Sequence, residues 1–296
     1  MNTRPIVLRM VAVLLLVASV GNADGPGIAV PSKHGGEFGV TFFGWSDQHV
    51  KTNGDVSHLL EAIDAMNGLP GTAYPRVVGG KVAEPAFVFG CGDVTEWPTH
   101  AAVRAYDKVI AERLKFPSYD VMGNHDDGGK VPSDTMRKWI TKRHGSLTYT
   151  FDCGGVRFIG LYSAFDPDGK PAQPLAKESL ATLKKLLAKT PAKTPVVLAT
   201  HLCFDAITNR DELVDSIGDA NVILVLGGHC RQVTVHHYRG LSFVQFPSPR
   251  DQTEVTVLRV TNDRVVAIPY DYARKAWSDD ARKILDLKNK APAARR

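Results

Sequence analysis

Five stretches of this chain place metal-ligating or proton-carrying side chains directly after an apolar run. The densest is Val121-Met122-Gly123-Asn124-His125-Asp126. There a glycine permits a sharp turn, Asn124 offers a neutral oxygen ligand and His125 a proton carrier, and Asp126 is an acceptor able to orient either. The other four ends carry Asp47 and His49, Asp93, His201, and His229. A histidine after a strand is ordinarily a satisfied surface or core residue, and an Asp after Gly is ordinarily a turn former. Five such ends in one chain are much harder to explain that way. Carboxylate, amide and imidazole donors together suit Mn, Fe, Co, Ni or Zn and argue against a purely oxygen-lined Ca or Mg cage.

The elements behind these ends must bring them together. Val40–Trp45, Ala86–Phe89, Tyr119–Met122, Pro195–Thr200 and Asn221–Leu226 read as buried strands. Helical spacing marks residues 56–66, 98–114, 133–143, 176–188 and 211–217, and a last helix is expected over about 276–287. Residues 147–153 and 156–163 form two strands around Gly154-Gly155, a hairpin signal. Further strands are expected at 232–238, 241–246, 254–260 and 264–270. The early alternation of strand and helix implies parallel pairing, and the later strands add antiparallel pairs. The economical architecture is α/β: two mixed sheets packed face to face with helices outside. In such sheets ligands bind beyond the carboxyl ends of the strands. Asp47 and His49, two residues apart, are expected to point the same way from extended chain.

Composition is that of an ordinary globular protein: 296 residues, 44% hydrophobic and 23% charged. The start of the chain reads differently. Arg4 and Arg9 precede the apolar run Met10–Val20, and Gly21-Asn22-Ala23 supplies the small residues a signal peptidase reads. Residues 1–23 are therefore expected to be a cleaved secretory signal, with a periplasmic or extracellular product. The run is shorter than the ~20 residues a membrane span needs, and no stable span is expected after cleavage. Residues 24–290 are expected to form one domain and 291–296 a basic tail. The net charge of +5 includes Arg4 and Arg9, and no basic stripe points to nucleic acid. Cys91, Cys153, Cys203 and Cys230 are expected chiefly as buried hydrophobes, with a Cys203–Cys230 bridge as the alternative that export permits.

Asp47-Gln48-His49, Gly92-Asp93, Gly123-Asn124-His125-Asp126, the strand-ending His201 and Gly228-His229 resemble, in order, spacing and strand context, the calcineurin-like metallophosphoesterase superfamily. The resemblance implies a four-layer α/β sandwich holding two metal ions. Carried over, one ion takes Asp47 and His49, Asp93 bridges both, and the other ion takes Asn124, His201 and His229. His125 resembles the family's proton donor or transition-state stabiliser. Glu96 lies where the protein Ser/Thr phosphatase branch has an Asp that orients that histidine. The implied activity is hydrolysis of a small phosphorylated substrate, monoester or diester, by hydroxide activated between two cations ~3.5–4 Å apart.

One position departs from the pattern. Many members carry Gly-His-x-His, whereas this chain has Gly228-His229-Cys230-Arg231. A guanidinium cannot ligate a metal, but its planar fork suits a phosphate oxygen, so Arg231 and Asn124 are the expected substrate contacts. The competing expectation is a single-metal or metal-free relic that binds a phosphorylated ligand without turnover. Metal stoichiometry separates the two. Substrate choice is expected in the loops, with Phe165, Asp166, Asp168 and Arg250 as candidates.

Overall fold

The computed structural model describes residues 38–288 apart from 130, 132, 167 and 168. The secretory signal expected over 1–23 and the tail expected over 291–296 lie outside the described residues.

Two mixed sheets form the body. β1 (Gly39–Trp45), β2 (Val88–Gly90) and β3 (Ser118–Asp120) run parallel, as the alternation with α1 (Leu60–Gly68) and α2 (His100–Arg113) requires. α3 (Thr135–His144) then leads into the hairpin of β4 (Tyr149–Cys153) and β5 (Val156–Gly160). α4 (Lys177–Ala188) and α5 (Arg210–Ile217) flank β6 (Val196–Leu202), which pairs in parallel with β5 and with β7 (Val222–Gly228). β8 (Thr234–Tyr238) and β9 (Leu241–Gln245) extend this second sheet to the order β4-β5-β6-β7-β9-β8. β10 (Glu254–Thr261) and β11 (Arg264–Asp271) return to the first sheet, and β10 lies antiparallel against β1.

The burial pattern explains the layering. Phe42, Phe89, Phe158, Val197, Ala199, Leu224, Leu226 and Val244 point between the sheets. Their chain neighbours Phe43 and Val88 face α1, α2 and α3 instead, while Leu198, Val225 and Phe243 face α4 and α5. Each central strand therefore buries both faces, as period-two side-chain alternation dictates for a sheet covered on both sides. The result is helix, sheet, sheet, helix: the four-layer sandwich expected from the sequence.

Three expectations are corrected. Residues 276–287 do not form a helix. Ala276–Trp277 (β12) and Leu285–Lys288 (β13) pair along β11, with only a single 3₁₀ turn at Ala281–Lys283 between them. The unpaired edge of β11 offers a row of backbone donors and acceptors, and burying alternate Leu285 against it outweighs helix propensity. α2 begins at His100 rather than 98, because Thr99 accepts from the Ala102 amide at 3.1 Å and caps the first turn. Residues 56–66 are split into a 3₁₀ turn and α1.

Candidate metal centre

The carboxyl ends of β1, β2 and β3 meet those of β6 and β7 along one rim of the sandwich. Backbone hydrogen bonds lock the first two loops together: the Asp47 amide donates to the Gly92 carbonyl and the His49 amide to the Asp93 carbonyl, each at 2.9 Å. Asp47 and His49 are not in extended chain, contrary to the expectation. Both adopt left-handed backbone, as do Asp93, His229 and Arg231, with φ between +44° and +74°. Such backbone is uncommon for non-glycine residues and marks places where the surroundings hold strain for a purpose. Five of the seven non-glycine positive-φ residues among those described lie here.

All six expected ligands converge. One Asp93 oxygen faces three imidazoles: His201 Nε2 at 3.3 Å, His49 Nε2 at 3.9 Å and His125 Nε2 at 4.0 Å. The other oxygen accepts from the His125 amide at 2.9 Å. Asn124 Oδ1 lies 3.0 Å from His201 Nε2 and 3.1 Å from His229 Nδ1. Asp47 Oδ1 lies 3.6 Å from His49 Nε2, and Asp47 Oδ2 accepts from the His229 amide at 2.8 Å. Two sets of donors each lie within 4.8 Å of one another, namely Asp93, His201 and His229, and His49, Asp93 and His125. Asp93 belongs to both sets.

Backbone must come close for this to happen. A Cβ at Gly123 would collide with the Asp93 carboxylate, and one at Gly228 with Ser46 and Asp47. Burial then sets the electrostatics. Desolvation alone would raise the Asp93 carboxyl, but the surrounding imidazoles of His201, His49 and His125 hold it well below the usual carboxylate range. Burial likewise opposes charge on His201, but Asp93 and Asp47 outweigh it and raise its pKa to about 9. His229 goes the other way, lowered by burial and by the neighbouring His201. Asp47 Oδ1 and both ring nitrogens of His49 are buried without a hydrogen-bond partner. Unsatisfied buried polar atoms facing one another are costly unless a bound group completes them, and imidazole, carboxylate and amide oxygen are a transition-metal donor set. The residues present therefore fit the expected cations.

Glu96 is placed differently from the expectation. Its main-chain carbonyl, not its carboxylate, accepts from His125 Nδ1 at 2.9 Å, while its carboxylate turns to Arg250 at 3.8 Å. The backbone already follows β2 into this loop, so orientation needs no side chain. Trp97 packs on the other side of the His125 ring, with centroids 4.7 Å apart. Asp126 orients neither Asn124 nor His125. It accepts from the amides of Val94, Thr95 and Gly123 and from the Thr95 hydroxyl, tying the second and third loops together. Burial and the Asp93 charge push its carboxyl up to about 7 against those bonds. Ser248, which sequence reasoning missed, donates its hydroxyl to the Asp47 carbonyl at 2.8 Å. Nothing in the sequence signals it, because it comes from a loop 201 residues away.

Arg231 sits at the rim, with Nε 4.0 Å from Asp47 Oδ1 and Nη1 3.7 Å from Asp251. His236 pairs with Asp205 and His237 with Ser242, so neither joins the cluster. Phe165 stands perpendicular to the His201 ring with centroids 5.8 Å apart, and Asp168 lies outside the described residues. All four cysteines are free. Cys203 and Cys230 are thus unbridged, and burial pushes the Cys203 thiol up to about 12, which makes it a poor nucleophile.

No protein-family model matches this chain, and no curated protein matches it. Solved structures do. The chain is similar to Plasmodium GAP50, described as the anchor in the inner membrane complex, at 13% identity over 87% of this chain and 91% of that one, with a TM-score of 0.56. Lower likenesses include the phosphopantetheinyl hydrolase of Mycobacterium tuberculosis, at 14% identity over 83% and 95% with a TM-score of 0.45. Vps29 of Entamoeba histolytica matches at 11% identity over 84% and 99%, with a TM-score of 0.40. The likeness to GAP50 shows a shared fold: two mixed sheets packed face to face with helices outside, the four-layer architecture that the sequence resemblance implies.

Proposed function

We propose that this chain is a metal-dependent phosphoester hydrolase whose centre takes two transition-metal ions. The observation that carries the reading is the set of buried donors without a hydrogen-bond partner on Asp47 and His49, facing an Asp93 that also serves His201 and His229. Asp47, His49 and Asp93 would hold one ion, and Asp93, Asn124, His201 and His229 the other. Ions of the Mn, Fe, Co, Ni or Zn class bound there supply positive charge to phosphoryl oxygens and lower the pKa of water.

The chain's own groups divide the remaining work. His125 has Nδ1 engaged by the Glu96 carbonyl, so its tautomer and ring plane are fixed and Nε2 is turned toward the Asp93 side. That nitrogen is placed to hold a proton for the departing alkoxide or to stabilise the charge that develops on it. The ring is wedged between His49 and Trp97, which restricts its rotation. Asn124 directs Oδ1 to the two imidazoles, which leaves its amide NH₂ for a phosphate oxygen. Arg231, exposed over 40% of its side chain, has donors left to meet another phosphate oxygen from the rim. Glu96 acts through its carbonyl and, by pairing with Arg250, fixes the loop that borders the site.

The N-terminal sequence pattern supports export, so the substrate we propose is a small extracytoplasmic phosphoester. The test is a panel of phosphomonoesters and phosphodiesters offered to metal-loaded protein. Turnover of one class that is abolished by a chelator and restored by Mn²⁺ supports the reading. Tight binding of a phosphoester with no turnover would instead favour the relic.

A further inference from the structure

The two metal positions are built unequally, and the difference centres on one side chain. The position made by Asp93, Asn124, His201 and His229 has four donor groups. One of its imidazoles is held from behind: His201 Nδ1 meets the Cys91 carbonyl at 2.8 Å. Backing of this kind fixes tautomer and ring orientation and strengthens a metal site. The position made by Asp47, His49 and Asp93 has three donor groups. Neither ring nitrogen of His49 has a hydrogen-bond partner behind it. One oxygen of Asp47 is already taken by the His229 amide. The other is 4.0 Å from Arg231 Nε.

Arg231 is not there by the drift of a long side chain. Its backbone is left-handed at φ +63°, and its carbonyl accepts from the Ser248 amide at 3.3 Å. Ser248 in turn donates to the Asp47 carbonyl, so one short loop fixes Asp47 and Arg231 relative to each other. A guanidinium keeps its charge at any working pH. A cation seated on Asp47 Oδ1 would share that carboxylate with a fixed positive group a few ångströms away, and charges so close interact strongly where water is partly excluded. Asp251, 3.7 Å from Nη1, gives the guanidinium a second carboxylate to which it can withdraw.

We infer that Arg231 competes with the first cation for Asp47. The Asn124–His201–His229 position retains its ion, and the Asp47–His49 position exchanges its own. Arg231 is then the residue that sets how much metal the centre holds. This rests on the metal-centre reading proposed above.

The experiment is metal counting, independent of any substrate. Protein loaded with excess Mn²⁺ is dialysed against metal-free buffer, and ions per chain are measured by elemental mass spectrometry, with titration calorimetry for the two affinities. The parent protein is expected to retain about one ion and to bind a second at least ten-fold more weakly. Arg231→Ala is expected to tighten the weak site at least ten-fold, whereas Arg231→Lys, which keeps a charge, stays near the parent. His201→Ala should lose the retained ion, and His49→Ala should keep it. Two equally tight ions in the parent, or an Arg231→Ala protein no tighter than the parent, would overturn the inference while leaving the metal-centre reading intact. A folded parent protein that binds no Mn²⁺ at either position would overturn both.

Discussion

The same strands build two regions of opposite character. Between the sheets, Phe42, Phe87, Phe151 and Phe158 pack as aromatic pairs with centroids near 5 Å, and Phe151 stacks on Tyr119 at 3.7 Å. A few residues further along, β1 and β2 leave regular strand geometry and place Asp47, His49 and Asp93 in left-handed backbone, with charges buried and polar atoms unmatched. The aromatic layer is redundant, since each ring touches several others. The rim is not: one Asp93 oxygen serves three imidazoles. Stability and chemistry should therefore respond to different substitutions, and the contrast can be tested directly.

Asp93→Ala should have the largest effect, abolishing both metal loading and phosphoester turnover while the protein still melts cooperatively. An Asp93→Ala protein that hydrolyses p-nitrophenyl phosphate esters like its parent would remove the basis of the comparison. His125→Ala is expected to cost about 10²–10⁴-fold in kcat with metal content unchanged, the usual range for a lost general acid. Loss of an ion instead would make His125 a ligand, a role its place in one donor set permits. Phe158→Ala, in the aromatic layer, should cost about 3–5 kcal/mol in urea unfolding and leave turnover per folded molecule nearly intact. A collapse of turnover in the folded Phe158→Ala protein would show that the two regions are not separable.

The smallest effect comes from Asp120, at the end of β3 between the two regions. Burial pushes its carboxyl up to about 6, although Arg143 and hydrogen bonds from Tyr106 and Ser118 pull the other way. The unfolded value is near 3.8, so between roughly pH 4 and pH 6 the folded chain binds more protons at this group than the unfolded chain does. Its contribution to stability is thus most favourable below about pH 4 and is lost as pH rises through 6, by up to about 3 kcal/mol. Asp120→Asn should flatten that part of the curve and raise the melting temperature at pH 7. An unchanged pH profile of unfolding would place the titration elsewhere.

Much of the site was legible because its donors end strands, and strands with both faces buried declare themselves as apolar runs. Asp47, His49, Asp93, Asn124, His201 and His229 are all of that kind. The structure bears out the fold for the same reason: alternation of buried strand and amphipathic helix leaves few ways to layer the chain. What sequence could not give were contacts whose identity resides in backbone. The Glu96 carbonyl, not its carboxylate, meets His125, and every residue type has a carbonyl. Asp126 looked like an orienting acid and is instead a staple for amides that only the folded turns bring to it. In the segment 276–287, Trp277, Ile284 and Leu287 also fit a helical face, and only the presence of a free β11 edge decides between the two periods.

That edge has a consequence of its own. β11 is paired on one side by β10 and on the other by the short Ala276–Trp277 and Leu285–Lys288 segments. Stripped of those late arrivals, Arg264–Ala267 would present bare amides and carbonyls to any passing extended chain, the usual seed of strand-by-strand stacking. The last described strand thus acts as a selvedge: it hems the sheet against fraying into its neighbours, well away from the chemistry at the opposite margin.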